Sequence, residues 1–156
     1  MNVYCQKTLH QIEVAVNSII EIMDELTDED LTRRPTPQKH SIGELISHIA
    51  LICRADYLIA EGAGQEDMNE FYSSHTFRTL GEMRKELLHH FHFLKEQVAA
   101  WTDDMLIEET TSYWGVTYAR FEWLVEIAVH LYHHRGQLHA MLVHCLDREP
   151  GVSMFE

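Results

Sequence analysis

Twelve histidines are spread through this 156-residue chain, and two of them have the spacing that metal chemistry needs. His130 and His134 fall in Trp123–His144, W-L-V-E-I-A-V-H-L-Y-H-H-R-G-Q-L-H-A-M-L-V-H. That stretch has no Pro, one Gly, and apolar residues three and four apart, so it reads as a long helix. At about 100° per residue the two rings differ by roughly 40° around the axis and can hold one ion between them. His133 lies roughly 60° to the other side of His130, and His139 roughly 140° beyond His134, so neither joins the pair. The stripe through the pair is Trp123, Ile127, His130, His134, Gln137 and Met141, which is expected to face the core. Imidazoles on such a face need partners, because unpaired buried polar groups are costly. A divalent ion satisfies both rings at once, since neutral imidazole is a common ligand for zinc and its neighbours. In a chain this rich in histidine an i, i+4 pair also arises as an inert surface feature. A third ligand from another element separates the two cases.

The elements that must position it follow in order. About Asn2 to Leu26 carries Leu9, Ile12, Val16, Ile19, Met23 and Leu26 at helical spacing. Thr27-Asp28-Glu29-Asp30 resembles a helix start but is read as a polar connection of at most one turn, because Pro35 and Pro37 forbid continuation. Ser41-Ile42-Gly43-Glu44 is a capping box that opens a second helix ending near Gly62. On that helix His48 shares a face with Leu45, Ile52 and Ala55. A lone histidine there is more often a hydrogen-bonded core residue, but the pair in search of a third member makes it the candidate. Gly62 to Arg78 reads as a polar loop with Phe71, Tyr72 and Phe77 inserted. Thr79-Leu80-Gly81-Glu82 is another capping box, opening a third helix to about Trp101. Its His89, His90 and His92 point in widely different directions and read as solvated or rim residues. Thr102 to Thr117 crosses to the last helix, which opens at Thr117 or Tyr118 and runs to about Leu146. The expected architecture is all-α, a four-helix bundle with long connections, filling residues 1–156 as one domain.

The formal charge is −13, and no cluster of Lys and Arg exceeds the pairs Arg33-Arg34 and Arg84-Lys85. A nucleic-acid module needs a basic face for phosphates, so neither nucleic-acid binding nor docking on an anionic membrane is expected. Three cysteines, Cys5, Cys53 and Cys145, are widely spaced with no C-x-x-C, which fits a reducing compartment. No signal-peptide pattern and no membrane-span-length apolar run is visible. A soluble, cytoplasmic protein is expected.

With S-I-G-E-L-I-S-H-I-A on the second helix and H-L-Y-H-H-R-G-Q-L on the last, the chain resembles the DinB family, the DinB/YfiT-like metalloenzymes. The likeness extends over essentially the whole chain, and H-x-x-H-H-R-G-Q is its more specific part. The resemblance implies an up-down-down-up bundle and one divalent ion on three histidines, which match His48, His130 and His134 here. It also implies homodimers, a stress-response setting and a relationship to S-transferases that use bacillithiol, mycothiol or glutathione.

Three neutral histidines leave a divalent ion its full charge and an open position, the mark of a catalytic site. That position can take water, whose pKa then drops toward about 7, or a substrate thiol, which a metal deprotonates. Thiolate is the reactive form. A zincin peptidase needs H-E-x-x-H, but Leu131 fills the glutamate slot. A di-iron bundle needs Glu-x-x-His, but Glu44 and Glu126 precede His48 and His130 by four residues. Three clustered histidines also fit a bis-histidine haem poorly. Glu44, Glu126 and Gln137 are the candidates to orient the rings, with ordinary solvated charges or a packing amide as the alternative. Gly136 suggests close approach of a helix or substrate, Arg135 points away toward an acidic neighbour, and Tyr57, Tyr113 and Trp114 are candidate rim residues. The expected function is metal-dependent transfer of a small thiol to an electrophile. The alternatives are a metal-dependent hydrolase and a non-catalytic metal-binding stress-response protein. Zinc is favoured, and nickel or iron would accept the same imidazoles.

Overall fold

The computed structural model describes residues 1–155. The chain is mostly helical: α1 (Val3–Asp24), α2 (Ile42–Ala60), α3 (Gln65–Ser74), α4 (Leu80–Ala99) and α5 (Arg120–Leu146). A two-stranded antiparallel ribbon, β1 (Glu109–Thr111) and β2 (Thr117–Ala119), precedes α5, with Glu109 opposite Ala119. Short 3-10 turns occupy Asp28–Thr32 and Asp104–Ile107. The first of these is the single turn allowed by the sequence before the two prolines.

The four long helices pack in pairs, α1 on α4 and α5, and α2 on α4 and α5. Each contributes an apolar stripe to one core, including Ile12 and Ile19, Ile46 and Ile49, Leu87 and Leu94, and Leu124 and Leu138. Apolar area removed from water is the main driving term here. Both capping boxes form. The Ser41 hydroxyl accepts from the Glu44 amide at 3.1 Å while the Glu44 carboxylate accepts from the Ser41 amide at 2.6 Å. The corresponding pair at Thr79 and Glu82 measures 3.2 Å each way.

Two connections are more ordered than the sequence suggests. Within the expected 62–78 loop, α3 forms because Glu66 and Asp67 stand in its first turn, where carboxylates suit the helix dipole. Met68 is buried with Ala55, Ile59 and Trp123. The connection to α5 contains the ribbon, so α5 begins at Arg120 rather than at Thr117 or Tyr118. Arg120 fixes that start by pairing with Glu61 at the end of α2 and with Glu108.

The buried stripe of α5 also differs from the wheel reading. It runs through Trp123, Leu124, Ile127, Leu131, Arg135, Leu138, Met141 and Leu142. His130 and His134 are only half-buried along its edge, and Gln137 is exposed. Among the described residues Arg135 meets no acidic neighbour. It is 3% exposed, donates to the Ser18 hydroxyl at 2.9 Å and lies over the Tyr132 ring. Its aliphatic stem and stacked guanidinium let it occupy a core position. Gly136 is equally unlike its expectation, because a Cβ built there meets nothing within 4 Å. Among the described residues no helix is long and apolar enough to cross a membrane.

Close approach does operate at Gly43, in the first turn of α2. A Cβ there would stand 3.0 Å from the Leu31 carbonyl oxygen and 3.1 Å from the Leu31 Cβ. That contact seats the 3-10 turn against the start of the helix that carries His48. Gly43→Ala is therefore expected to lower stability in urea unfolding by about 1–3 kcal/mol, the usual range for overpacking. Wild-type stability or better would show that the turn yields without cost.

Candidate metal site

α2 delivers His48 and α5 delivers His130 and His134 to one point between them. His48 Nε2 lies 3.1 Å from His130 Nε2 and 3.1 Å from His134 Nε2. One ring nitrogen from each of the three falls within 4.8 Å of the others. Two nitrogens bonded to one tetrahedral ion at about 2.0–2.1 Å stand ~3.3 Å apart, close to the spacing found.

The protons of these rings are assigned by their outer partners. His130 Nδ1 is 2.7 Å from an Asp56 carboxylate oxygen. An ionised carboxylate only accepts, so Nδ1 carries the hydrogen and a neutral ring turns its Nε2 lone pair inward. His134 Nδ1 donates at 2.7 Å to Gln137 Oε1, with the same result. His48 Nε2 thus faces two acceptors, and a single N–H there can serve only one of them. A cation that accepts from all three nitrogens resolves this, so the donor set fits a divalent ion. Outer partners of this kind fix ring orientation and raise ligand basicity.

The environment separates the rings electrostatically. Burial, reinforced by the neighbouring imidazoles, pushes His48 down to about 4. Burial, partly offset by the Gln137 bond, also holds His134 below its ordinary value. His130 is buried too, yet the hydrogen bond and charge of Asp56 carry it above its ordinary value. His48 and His134 are thereby kept as neutral ligands, and His130 is the ring that takes up a proton first as pH falls.

Several residues singled out in the sequence lie elsewhere. His133 Nε2 is engaged by the Gln137 amide at 3.0 Å. The Glu44 carboxylate serves the Ser41 cap, with Arg34 at 3.4 Å and the His40 ring at 4.0 Å, and bonds none of His48, His130 and His134. Glu126 is exposed and reaches His130 only through its charge. The carboxylate that does bond a ring, Asp56, went unnoticed. Its signal was present: it is the one carboxylate between Glu44 and Glu61, two turns beyond His48 on the same helix. Tyr57 packs on Phe93 and Trp101 with its hydroxyl toward Gln97. Tyr113 and Trp114 sit exposed at the ribbon turn, so none of the three lines the cavity beside the histidines. His90, expected at the rim, is buried.

That cavity, about 710 Å³, includes His48 and His134 in its wall. Leu45, Ala140 and Met141 give it an apolar side, and Lys39, His40 and His144 supply basic groups. Cys145 also lines it, whereas Cys5 and Cys53 are buried thiols whose ionisation is opposed by burial.

The model of the DinB superfamily matches residues 11–138. A crystal structure assigned to the DinB family, from Exiguobacterium sibiricum, is 29% identical with a TM-score of 0.87 and 99% of each chain covered. A DinB-like protein from Bacillus cereus is 18% identical at a TM-score of 0.73, with 97% of this chain and 95% of that one covered. A mycothiol-dependent maleylpyruvate isomerase is 15% identical at 0.65, with 88% and 63% covered. The last two likenesses speak to the fold alone. A search of curated proteins finds no significant match.

Replacing His48, His130 or His134 with Ala is expected to cost one bound zinc per chain in equilibrium dialysis near neutral pH. His133→Ala should cost none. Asp56→Ala should weaken zinc at this site about 10–100-fold. Protons compete with the ion, and His130, which Asp56 holds above the ordinary imidazole value of about 6.5, is the first ring to take one up. Affinity in the wild type should therefore fall as pH drops through that value. Without Asp56, burial is opposed only by the charge of Glu126, so the acid limb should move to lower pH. An unmoved limb would remove Asp56 from this role.

Proposed function

We propose, from the premise that the chain belongs to the DinB superfamily, that it is a divalent-metal-dependent enzyme that transfers a low-molecular-weight thiol to an electrophile. The observation that carries this reading is the meeting of three inward-turned imidazole nitrogens beside a cavity large enough for a small molecule, with His48 and His134 in its wall. His48, His130 and His134 would hold the ion, with zinc favoured by ligand type and nickel or iron also accommodated. The ion supplies Lewis acidity at an open position, lowering the pKa of a coordinated thiol or water.

The chain's own groups do the rest. Asp56 and Gln137 hold the hydrogens of His130 and His134 on the outer nitrogens, so both rings are fixed in direction with Nε2 turned inward. Leu45, Ala140 and Met141 exclude water from one side of the bound molecule. Lys39 brings a positive charge to that cavity, whose wall also holds the Glu44 carboxylate beside His40, and the ammonium suits a thiol or electrophile bearing a carboxylate. Burial opposes ionisation of Cys5 and Cys53, and Cys145 is the one thiol in the cavity wall; the reading takes the incoming sulfur from the cosubstrate. The similarity to a structure named for mycothiol dependence supports this class without identifying the thiol. The reading extends to an up-down-down-up order of the four long helices, a homodimer and a cytoplasmic setting, with no nucleic-acid or membrane partner.

Purified protein loaded with zinc should consume free thiol in the presence of an electrophile panel, saturably and only with metal bound. His48→Ala should abolish turnover. Lys39→Ala should raise KM severalfold for acidic substrates while leaving zinc content unchanged. Full metal content with ester hydrolysis but no thiol transfer would favour a hydrolase. Full metal content with neither activity would favour a non-catalytic metal-binding protein.

A further inference from the structure

A second cluster of ligating side chains lies outside the site above, where α3 ends against α4. His75 caps the C-terminus of α3. Its Nδ1 is 2.7 Å from the Phe71 carbonyl oxygen and 3.1 Å from the Ser74 hydroxyl. A carbonyl only accepts, so Nδ1 carries the hydrogen and the neutral ring keeps its lone pair on Nε2. His90 repeats the arrangement, its Nδ1 donating to the Ala50 carbonyl of α2 at 2.9 Å. Glu86 stands one turn before His90 on α4, with a carboxylate oxygen 3.6 Å from His90 Nε2. One ligand atom from each of His75, Glu86 and His90 lies within 4.8 Å of the others.

We infer that His75, Glu86 and His90 form a second divalent-metal site, of the zinc class, which fastens α3 to α2 and α4. Two imidazoles and one carboxylate are a ligand set that zinc takes. Both rings already have Nδ1 bonded to a backbone carbonyl, the kind of partner that orients histidine ligands in metal sites. The Glu86–His90 spacing is near the ~3.3 Å required of two ligands on one tetrahedral ion. Glu86 is only partly buried, and its side chain can rotate to close the remaining distance.

The ordinary alternative is a Glu86–His90 ion pair, which needs a protonated His90. That ring is 1% exposed, and burial holds its pKa below the ordinary value despite the Ala50 bond and the charge of Glu86. Arg54, the nearby cation, lies over the Phe93 ring at 4.7 Å. The rings of Phe71 and Phe77 stand beside His75, and a low-dielectric wall strengthens any charge pairing inside it. α3 needs such a fastening, since Met68 is its one buried residue.

The site is separable from the first. Zinc titration of metal-free protein should give two equivalents per chain, His48→Ala one, and His48→Ala combined with His75→Ala or Glu86→Gln none. His75 and Glu86 are chosen because the buried His90 is needed for packing. In the His48→Ala background, zinc should slow hydrogen exchange of the amides in 65–74, and His75→Ala should erase that slowing. The inference is overturned if His48→Ala binds no zinc, or if it keeps its zinc unchanged after both His75→Ala and Glu86→Gln. A single zinc lost with His75→Ala but not with His48→Ala would instead uphold this site and count against the three-histidine one.

Discussion

Three imidazole nitrogens that face one another with at most one proton among them cannot all be satisfied, and much of this molecule's design follows from that. His130 and His134 have committed their hydrogens to Asp56 and Gln137, so the space shared with His48 has acceptors and at most one proton. A cation at that point turns a cost into a bond, because buried polar groups without partners are expensive. The same residues in other tautomers would make an unremarkable hydrogen-bonded cluster. The outer partners decide which of the two it is.

Holding the rings there requires two helices at a fixed register. α5 presents Leu124, Leu131 and Leu138 to the core, which sets its rotation and brings His130 and His134 to the edge facing α2. Arg135 occupies a core position between them, tied to Ser18 of α1, so α5 is referenced to α1 as well. At the other side, the Ser41–Glu44 cap and the close seat of Gly43 on Leu31 fix where α2 begins. His48 follows one turn later. The cavity opens where these two constructions meet the Pro35–Lys39 segment, which places Lys39 and His40 near the histidines.

How much of this could be read in the sequence depends on the kind of interaction. The long helices were legible because their stripes and capping boxes are local patterns, and the grouping of His48, His130 and His134 followed from wheel geometry with the family motif. The partner of His130 was less legible. Glu44 and Glu126 were favoured for being near the ligands in sequence, yet Glu44 was already committed to its cap and Glu126 faces solvent. Asp56 bonds across to another helix, and a cross-helix contact leaves no mark in local spacing. α3 was hidden for a related reason: its single buried residue, Met68, gives no stripe, and its place comes from contacts with α2. Arg135 and Gly136 misled in opposite directions. A buried arginine looks solvent-seeking in a wheel, and a helical glycine looks like a contact point even where the surrounding space is open.

The central claim is that His48, His130 and His134 act together as the ligands of one divalent ion. Crystals of the zinc-loaded protein, measured at the zinc absorption edge, test it directly. The account predicts an anomalous peak at about 2.0–2.1 Å from all three Nε2 atoms, with His130 Nδ1 still on Asp56 and His134 Nδ1 still on Gln137. Rings turned apart with no peak between them, or a peak bonded to His133 in place of His134, would contradict it.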